Sequence, residues 1–155
     1  MTYTEEQRKI FWKLFDEILI ENGEPFSIAY KKKNGEITSY GQVNKLFATP
    51  NGTVIDLSFI LRDGKFRVNF YIPERKTSLR DNFINNKEQI ESMITKTLLW
   101  ENGSQNENVL RPSVYFEFIK NDVDDYRRVI EESLPTIIEF INVANKYGQD
   151  EFFDF

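Results

Sequence analysis

The sequence predicts an α+β domain in which a mostly antiparallel sheet of about four to six strands is covered on one face by three main helices. Three observations lead there. Asp63-Gly64 lies between two alternating apolar runs, residues 54–61 and 66–72, and Asp-Gly in such a place is a strong signal for a tight hairpin. Two other stretches, residues 10–19 and 83–98, repeat apolar side chains at helical spacing. The 155 residues suit one domain, and a chain of that size buries roughly 70% of the surface it exposes when unfolded.

The elements follow in order. Thr4 and Gln7 have the spacing of a capping box, and Ile10, Phe11, Leu14, Phe15, Ile18 and Leu19 then share a stripe up to Asn22-Gly23, so a first helix is expected over residues 5–22. Pro25 marks its exit, and Phe26, Ile28 and Tyr30 alternate as a strand does. KKKNGE, residues 31–36, reads as a solvated turn, and short strands are expected near residues 37–40 and 43–47 before Pro50. In the hairpin, a two-residue turn at Asp63-Gly64 pairs Arg62 with Lys65. It sets Leu61 opposite Phe66, Phe59 opposite Val68, Leu57 opposite Phe70 and Ile55 opposite Ile72, all apolar. The other face, with Asp56 opposite Tyr71, Ser58 opposite Asn69 and Ile60 opposite Arg67, is expected to be wet.

Thr77 or Ser78 caps a second helix reaching about Leu99, with Phe83, Lys87, Ile90, Ile94 and Leu98 on one stripe. A polar loop over residues 101–112 leads to a strand, residues 113–120, in which Val114, Phe116 and Phe118 face one way. Asp122 caps a third helix, and Asp124 and Asp125 complement the positive end of its dipole. Pro135 predicts a kink or restart near Ser133, with a final helix over residues 136–147 that Gly148 ends. The domain therefore spans residues 1–148, and residues 149–155 form an acidic-aromatic tail.

With neither His nor Cys, the chain cannot build a Cys/His zinc site, a thiol nucleophile or a Ser-His-Asp triad. No cofactor and no metal are expected. The formal charge of −5 argues against nonspecific coating of nucleic acid. The apolar runs fall short of the ~20 residues of a membrane span, and the start MTYTEEQRK lacks a signal core, so a cytoplasmic protein is expected. The Asn-Gly pairs at Asn51 and Asn102 read as turns.

Asp56 with Glu74 and Lys76 has the string pattern of a restriction-type nuclease, which needs its carboxylates to converge on one magnesium ion. The expected register puts Asp56 and Glu74 on opposite faces, and Pro73 ends the strand before Glu74. No catalytic residue is therefore assigned. The candidate binding residues are Arg62, Lys65, Arg67, Asn69 and Tyr71 on the polar hairpin face, together with Lys31, Lys32 and Lys33. In the tail, Phe152, Phe153 and Phe155 form a candidate ligand for a partner pocket, the alternative being that they dock on the domain.

QRKIFWKLFDEIL near the start, FRVNFYIP in the hairpin, NFINNKEQIESMI with Lys87 and Glu91, and LLWEN around Trp100 and Glu101 occur in this order. In this the chain resembles the DUF4268 family, a bacterial domain of unknown function, over about residues 7–145. Members often follow a restriction-nuclease-like part, so the resemblance implies an accessory role near nucleic acid; these 155 residues hold no such part, and a stand-alone module is expected. Lys87, Glu91, Trp100 and Glu101 match the pattern, and each also reads as helix surface, an ion pair or a core aromatic. The leading functional expectation is a noncatalytic interaction module with a protein partner or a second copy of itself. The alternatives are a nucleic-acid-associated accessory domain and, behind it, a magnesium-dependent nuclease.

Overall fold

The computed structural model describes residues 2–23, 32–33, 36–37, 44–48, 53–103 and 106–148, with the backbone alone for 32–33, 36–37 and 44–48. In chain order the elements are α1 (Tyr3–Asn22), β1 (Lys32–Lys33), β2 (Glu36–Ile37), β3 (Asn44–Ala48), β4 (Val54–Ile60), β5 (Lys65–Tyr71), α2 (Thr77–Asn85), α3 (Lys87–Met93), β6 (Leu99–Asn102), β7 (Leu110–Glu117) and α4 (Val123–Tyr147). The class is α+β, as the sequence predicts. β1 and β2 pair antiparallel, and the main sheet has the order β3-β4-β5-β7-β6. The expected strand at Phe26, Ile28 and Tyr30 lies outside the described residues.

The chain divides into two compact units. One comprises Met1–Phe47, Asp56–Arg67 and Tyr115–Leu134; the other comprises Ala48–Ile55, Val68–Val114 and Pro135–Phe155. In the first, Phe11 of α1, Phe59 of β4 and Phe118 after β7 stack, with centroids 4.2 Å apart for Phe11 and Phe59 and 5.1 Å for Phe59 and Phe118. Tyr126 of α4 meets all three edge-on at 5.5 to 5.7 Å. Offset stacks and edge contacts are the geometries the ring quadrupole favours, each contributing about 0.5–1.5 kcal/mol beyond area burial.

In the second unit, Phe70 of β5 stacks on Phe140 of α4 at 4.5 Å and meets Phe83 of α2 edge-on at 5.0 Å. Ile72 and Leu110 exchange two backbone hydrogen bonds of 3.0 Å. The end of α4 is tied down by Asn82, whose Nδ2 donates to the Tyr147 carbonyl (2.5 Å), and by Thr53, whose Oγ1 donates to the Gly148 carbonyl (3.1 Å).

Several boundaries differ from expectation for identifiable reasons. The capping box of α1 is Thr2 with Glu5, two residues earlier than Thr4 with Gln7, and Gly23 closes the helix with φ of 59°. The hairpin turn is Leu61 to Gly64, with the Gly64 amide bonded to the Leu61 carbonyl at 3.2 Å. The strands end at Ile60 and begin again at Lys65, so the connection is four residues, two more than expected, and Arg67 Nη2 donates to Ser58 Oγ across the pair at 3.1 Å. A turn longer by two leaves every side chain on its face, so Ile55, Leu57, Phe59 and Leu61 remain buried, as do Phe66, Val68, Phe70 and Ile72.

The second face of the hairpin is not wet at its centre. Asp56, Ser58 and Asn69 are 7%, 0% and 0% exposed. The expected second helix is two helices, broken at Asn86, whose side-chain Nδ2 donates to the Asn82 carbonyl (2.7 Å) and to Asn82 Oδ1 (3.0 Å). Lys76 stands at its N-cap without a side-chain bond, in place of Thr77 or Ser78. Leu99 to Asn102 is strand, paired with β7 from Ser113 to Leu110, where a polar loop was expected to begin. Asp122 Oδ1 accepts from the Asp125 amide (3.1 Å) and caps α4, which then runs through Pro135 without ending.

Truncating the stacked ring in Phe59→Ala should lower unfolding free energy by about 3–5 kcal/mol, whereas Ile20→Ala, at a side chain 80% exposed, should stay within about 0.5 kcal/mol. Gly64 has φ of 62°, and an added Cβ would meet the Phe118 carbonyl at 3.1 Å. Gly64→Ala should therefore cost about 1–2 kcal/mol. Urea-unfolding curves on the three variants check all of these.

Candidate functional site

The first unit holds an open groove of about 570 Å³ lined by Tyr3, Thr4, Arg8, Phe59, Ile60, Leu61, Arg62 and Lys120. The end of β4 and the turn that follows it contribute Phe59, Ile60, Leu61 and Arg62 to its lining. One wall is the first two turns of α1, whose start is set by the Thr2–Glu5 capping box. Arg62 projects from the hairpin turn with its side chain 88% exposed, its Nε 3.2 Å from Asp63 Oδ1. An exposed pair of this kind contributes about 0–1 kcal/mol.

Lys120 is placed by a chain of contacts at the start of α4. Asp125 Oδ2 accepts from the Ile119 amide (2.5 Å), the Lys120 Nζ donates to the Arg62 carbonyl (2.5 Å), and Asn121 takes a left-handed φ of 64°. The Asn121 amide donates to the Tyr126 hydroxyl (3.2 Å), which in turn donates to Gln7 Oε1 (2.6 Å). Burial pushes the Tyr126 phenol up from its ordinary pKa, so the group stays protonated and keeps its donor role toward Gln7, the residue before Arg8. Three cations, Arg8, Arg62 and Lys120, thus line the groove together with Tyr3 and Ile60, and among the described residues no carboxylate lines it.

Of the candidates read from the sequence, Arg62 lines the groove. Lys65 places its ammonium 5.6 Å from the centroid of the Tyr115 ring, Arg67 bonds Ser58, and neither lines the groove. Asn69 is fully buried, with its Nδ2 donating to the Phe70 carbonyl (3.1 Å), and so is not available to a surface ligand. Tyr71, in the second unit, is 40% exposed. Lys31, Phe152, Phe153 and Phe155 lie outside the described residues, as do the side chains of Lys32 and Lys33 in β1.

Asp56 is buried, whereas Glu74 is exposed in the turn before α2, with Lys76 beside it at the N-cap. Among the described residues no group of three or more acidic side chains could hold a metal ion. Nor is any helix among them long and apolar enough to cross a membrane.

Three of the four family-pattern residues meet in the second unit. Trp100 Nε1 donates to Glu91 Oε1 (2.7 Å), and the Lys87 ammonium lies 5.1 Å from the centroid of the Trp100 ring. The indole is half-buried and its donor is satisfied, which makes the cluster a surface clasp between α3 and β6.

Sequence reasoning missed Tyr3, Arg8 and Lys120. Lys120 carried the one usable signal, a cation between the end of a strand and an Asp N-cap. Arg8 had none, being one of several charged residues on an amphipathic helix.

No family model matches the chain, and no curated protein matches it. The chain is similar to the crystal structure of YbjN, described as a proposed transcription regulator from E. coli, with 10% identity over 88% of this chain and 93% of that one and a TM-score of 0.47. A likeness this slight carries no information about ligand or activity. The resemblance to the DUF4268 family thus rests on the sequence motifs alone.

Arg128 hydrogen-bonds Asp125 (2.6 Å) and, with the Ile119 amide, holds its carboxyl below the ordinary carboxylate pKa. A lowered folded-state pKa stabilises the fold above the unfolded value and loses that contribution as pH falls through the folded one. Asp125→Asn should therefore melt below the parent at pH 7, and the gap should shrink as pH drops below about 4. Melting temperatures of both proteins across pH 7 to 3 test this.

Proposed function

We propose that the protein is a noncatalytic interaction module and that its first-unit groove captures an anionic, partly apolar segment of a protein partner. The observation that carries this reading is one open groove combining Arg8, Arg62 and Lys120 with Tyr3 and the partly exposed Ile60, beside the buried Phe59 and Leu61. Cations beside an apolar lining suit a peptide whose carboxylates flank an apolar side chain. The cations supply orientation and encounter rate, and the apolar lining supplies burial.

A nucleic-acid accessory role, which the DUF4268 resemblance implies, is the second reading, supported by the exposed Arg62 guanidinium at the hairpin tip. The chain's formal charge of −5 places it second, because phosphate backbones are held by cations along an extended track.

Fluorescence anisotropy on the full chain separates the two, using a labelled peptide of glutamates with two phenylalanines and labelled single- and double-stranded DNA and RNA, each at low and moderate salt. The peptide should bind, with Arg62→Glu weakening it about tenfold and leaving folding intact. Nucleic-acid binding that falls steeply with salt, without peptide binding, would replace this reading with the accessory one.

A further inference from the structure

The groove's preference for anionic, partly apolar segments, which rests on the reading just given, meets a segment of that chemistry in the same chain. Residues 150–155 read DEFFDF, three carboxylates interleaved with three phenylalanines. In an extended chain alternate side chains share a side. Asp150, Phe152 and Asp154 would then present one ring flanked by two carboxylates. That is the complement of a groove whose apolar lining is joined by Arg8, Arg62 and Lys120.

We propose that the tail of one copy docks in the groove of a second copy, making this chain its own partner. The groove is built wholly from the first compact unit. Tyr147 and Gly148, which precede the tail in sequence, belong to the second, and their carbonyls accept from Asn82 and Thr53. Each copy offers one tail and one groove, so reciprocal exchange closes a two-fold dimer. Arg62 exchanges its exposed contact with Asp63 for a tail carboxylate, and Lys120, an ammonium with three donor protons, bonds the Arg62 carbonyl with one of them.

The test has a self-association arm and a peptide arm, both on the full-length chain. Sedimentation velocity over a concentration series should show reversible dimer formation that is lost when Phe152, Phe153 and Phe155 are all changed to Ser. A labelled peptide of residues 149–155 should then bind that tail variant. Its affinity should fall at least about tenfold when Arg62→Glu and Lys120→Glu are added, and equally when the peptide carries Asp150→Asn, Glu151→Gln and Asp154→Asn. The neutralised peptide decides the matter even if the double charge reversal unfolds the protein, which circular dichroism shows directly.

A dimer that survives the loss of the tail phenylalanines overturns the proposal. So does a wild-type chain that stays monomeric at every concentration, or peptide affinity indifferent to both charge changes. If the tail peptide fails while the glutamate-phenylalanine peptide still binds in an Arg62-dependent way, the tail is not the occupant and the groove reading stands. If neither peptide binds, both fall.

Discussion

The interaction on which the groove-bearing unit depends is the burial of the Tyr126 ring against the Phe11, Phe59 and Phe118 stack. Tyr126 is fully buried, and its hydroxyl is satisfied on both sides, donating to Gln7 and accepting from the Asn121 amide. Each contact fixes a segment that carries one cation of the groove. Gln7 precedes Arg8, Asn121 follows Lys120, and Phe59 opens the run that ends at Arg62. An aromatic core thereby positions three charges that come from distant parts of the sequence. A buried phenol without partners would be a liability, since an unsatisfied buried hydroxyl costs about 1–3 kcal/mol.

The ion pairs around this core orient the chain more than they stabilise it. Arg128 pairs with Asp125 and Glu132 and donates to the Glu117 carbonyl (2.8 Å), joining the end of β7 to the first turns of α4. Arg127 pairs with Glu21 (3.2 Å) and Glu131 (3.4 Å). All of these groups are partly exposed, where single pairs contribute about 0–1 kcal/mol. Their consequence is geometric: they hold the short connection from β7 to α4, and with it Lys120. In the second unit Glu139 does comparable work, accepting from both the Thr95 amide (3.2 Å) and its hydroxyl (2.6 Å) after the last turn of α3.

Local periodicity was legible, and long-range pairing was not. The alternation of Phe66, Val68 and Phe70 predicted the buried face of the hairpin, and that face survived a turn two residues longer than expected because strand side chains repeat every two residues. The helical stripe through Phe83 and Ile90 was real, but the stripe could not show that the Asn86 side chain turns back to Asn82 and ends the helix there. Leu98 extended the helical pattern past its end because the β-pairing of residues 99–102 with β7 is a tertiary fact. Pro135 breaks helices by propensity, yet here the packing of Phe140 on Phe70 and the bonds at the helix end keep α4 going. For the site, Arg62 was legible because a turn displays its side chains locally. Arg8 and Lys120 required the fold to bring them there.

The proposed binding surface is the cationic groove beside Tyr3. Backbone amide chemical-shift mapping of the full chain during titration with the glutamate-phenylalanine peptide tests it most directly. The largest shifts should fall on Tyr3, Thr4, Arg8, Arg62 and Lys120 and saturate together. Shifts centred instead on the Lys87–Trp100 clasp, or spread without saturation, would contradict it.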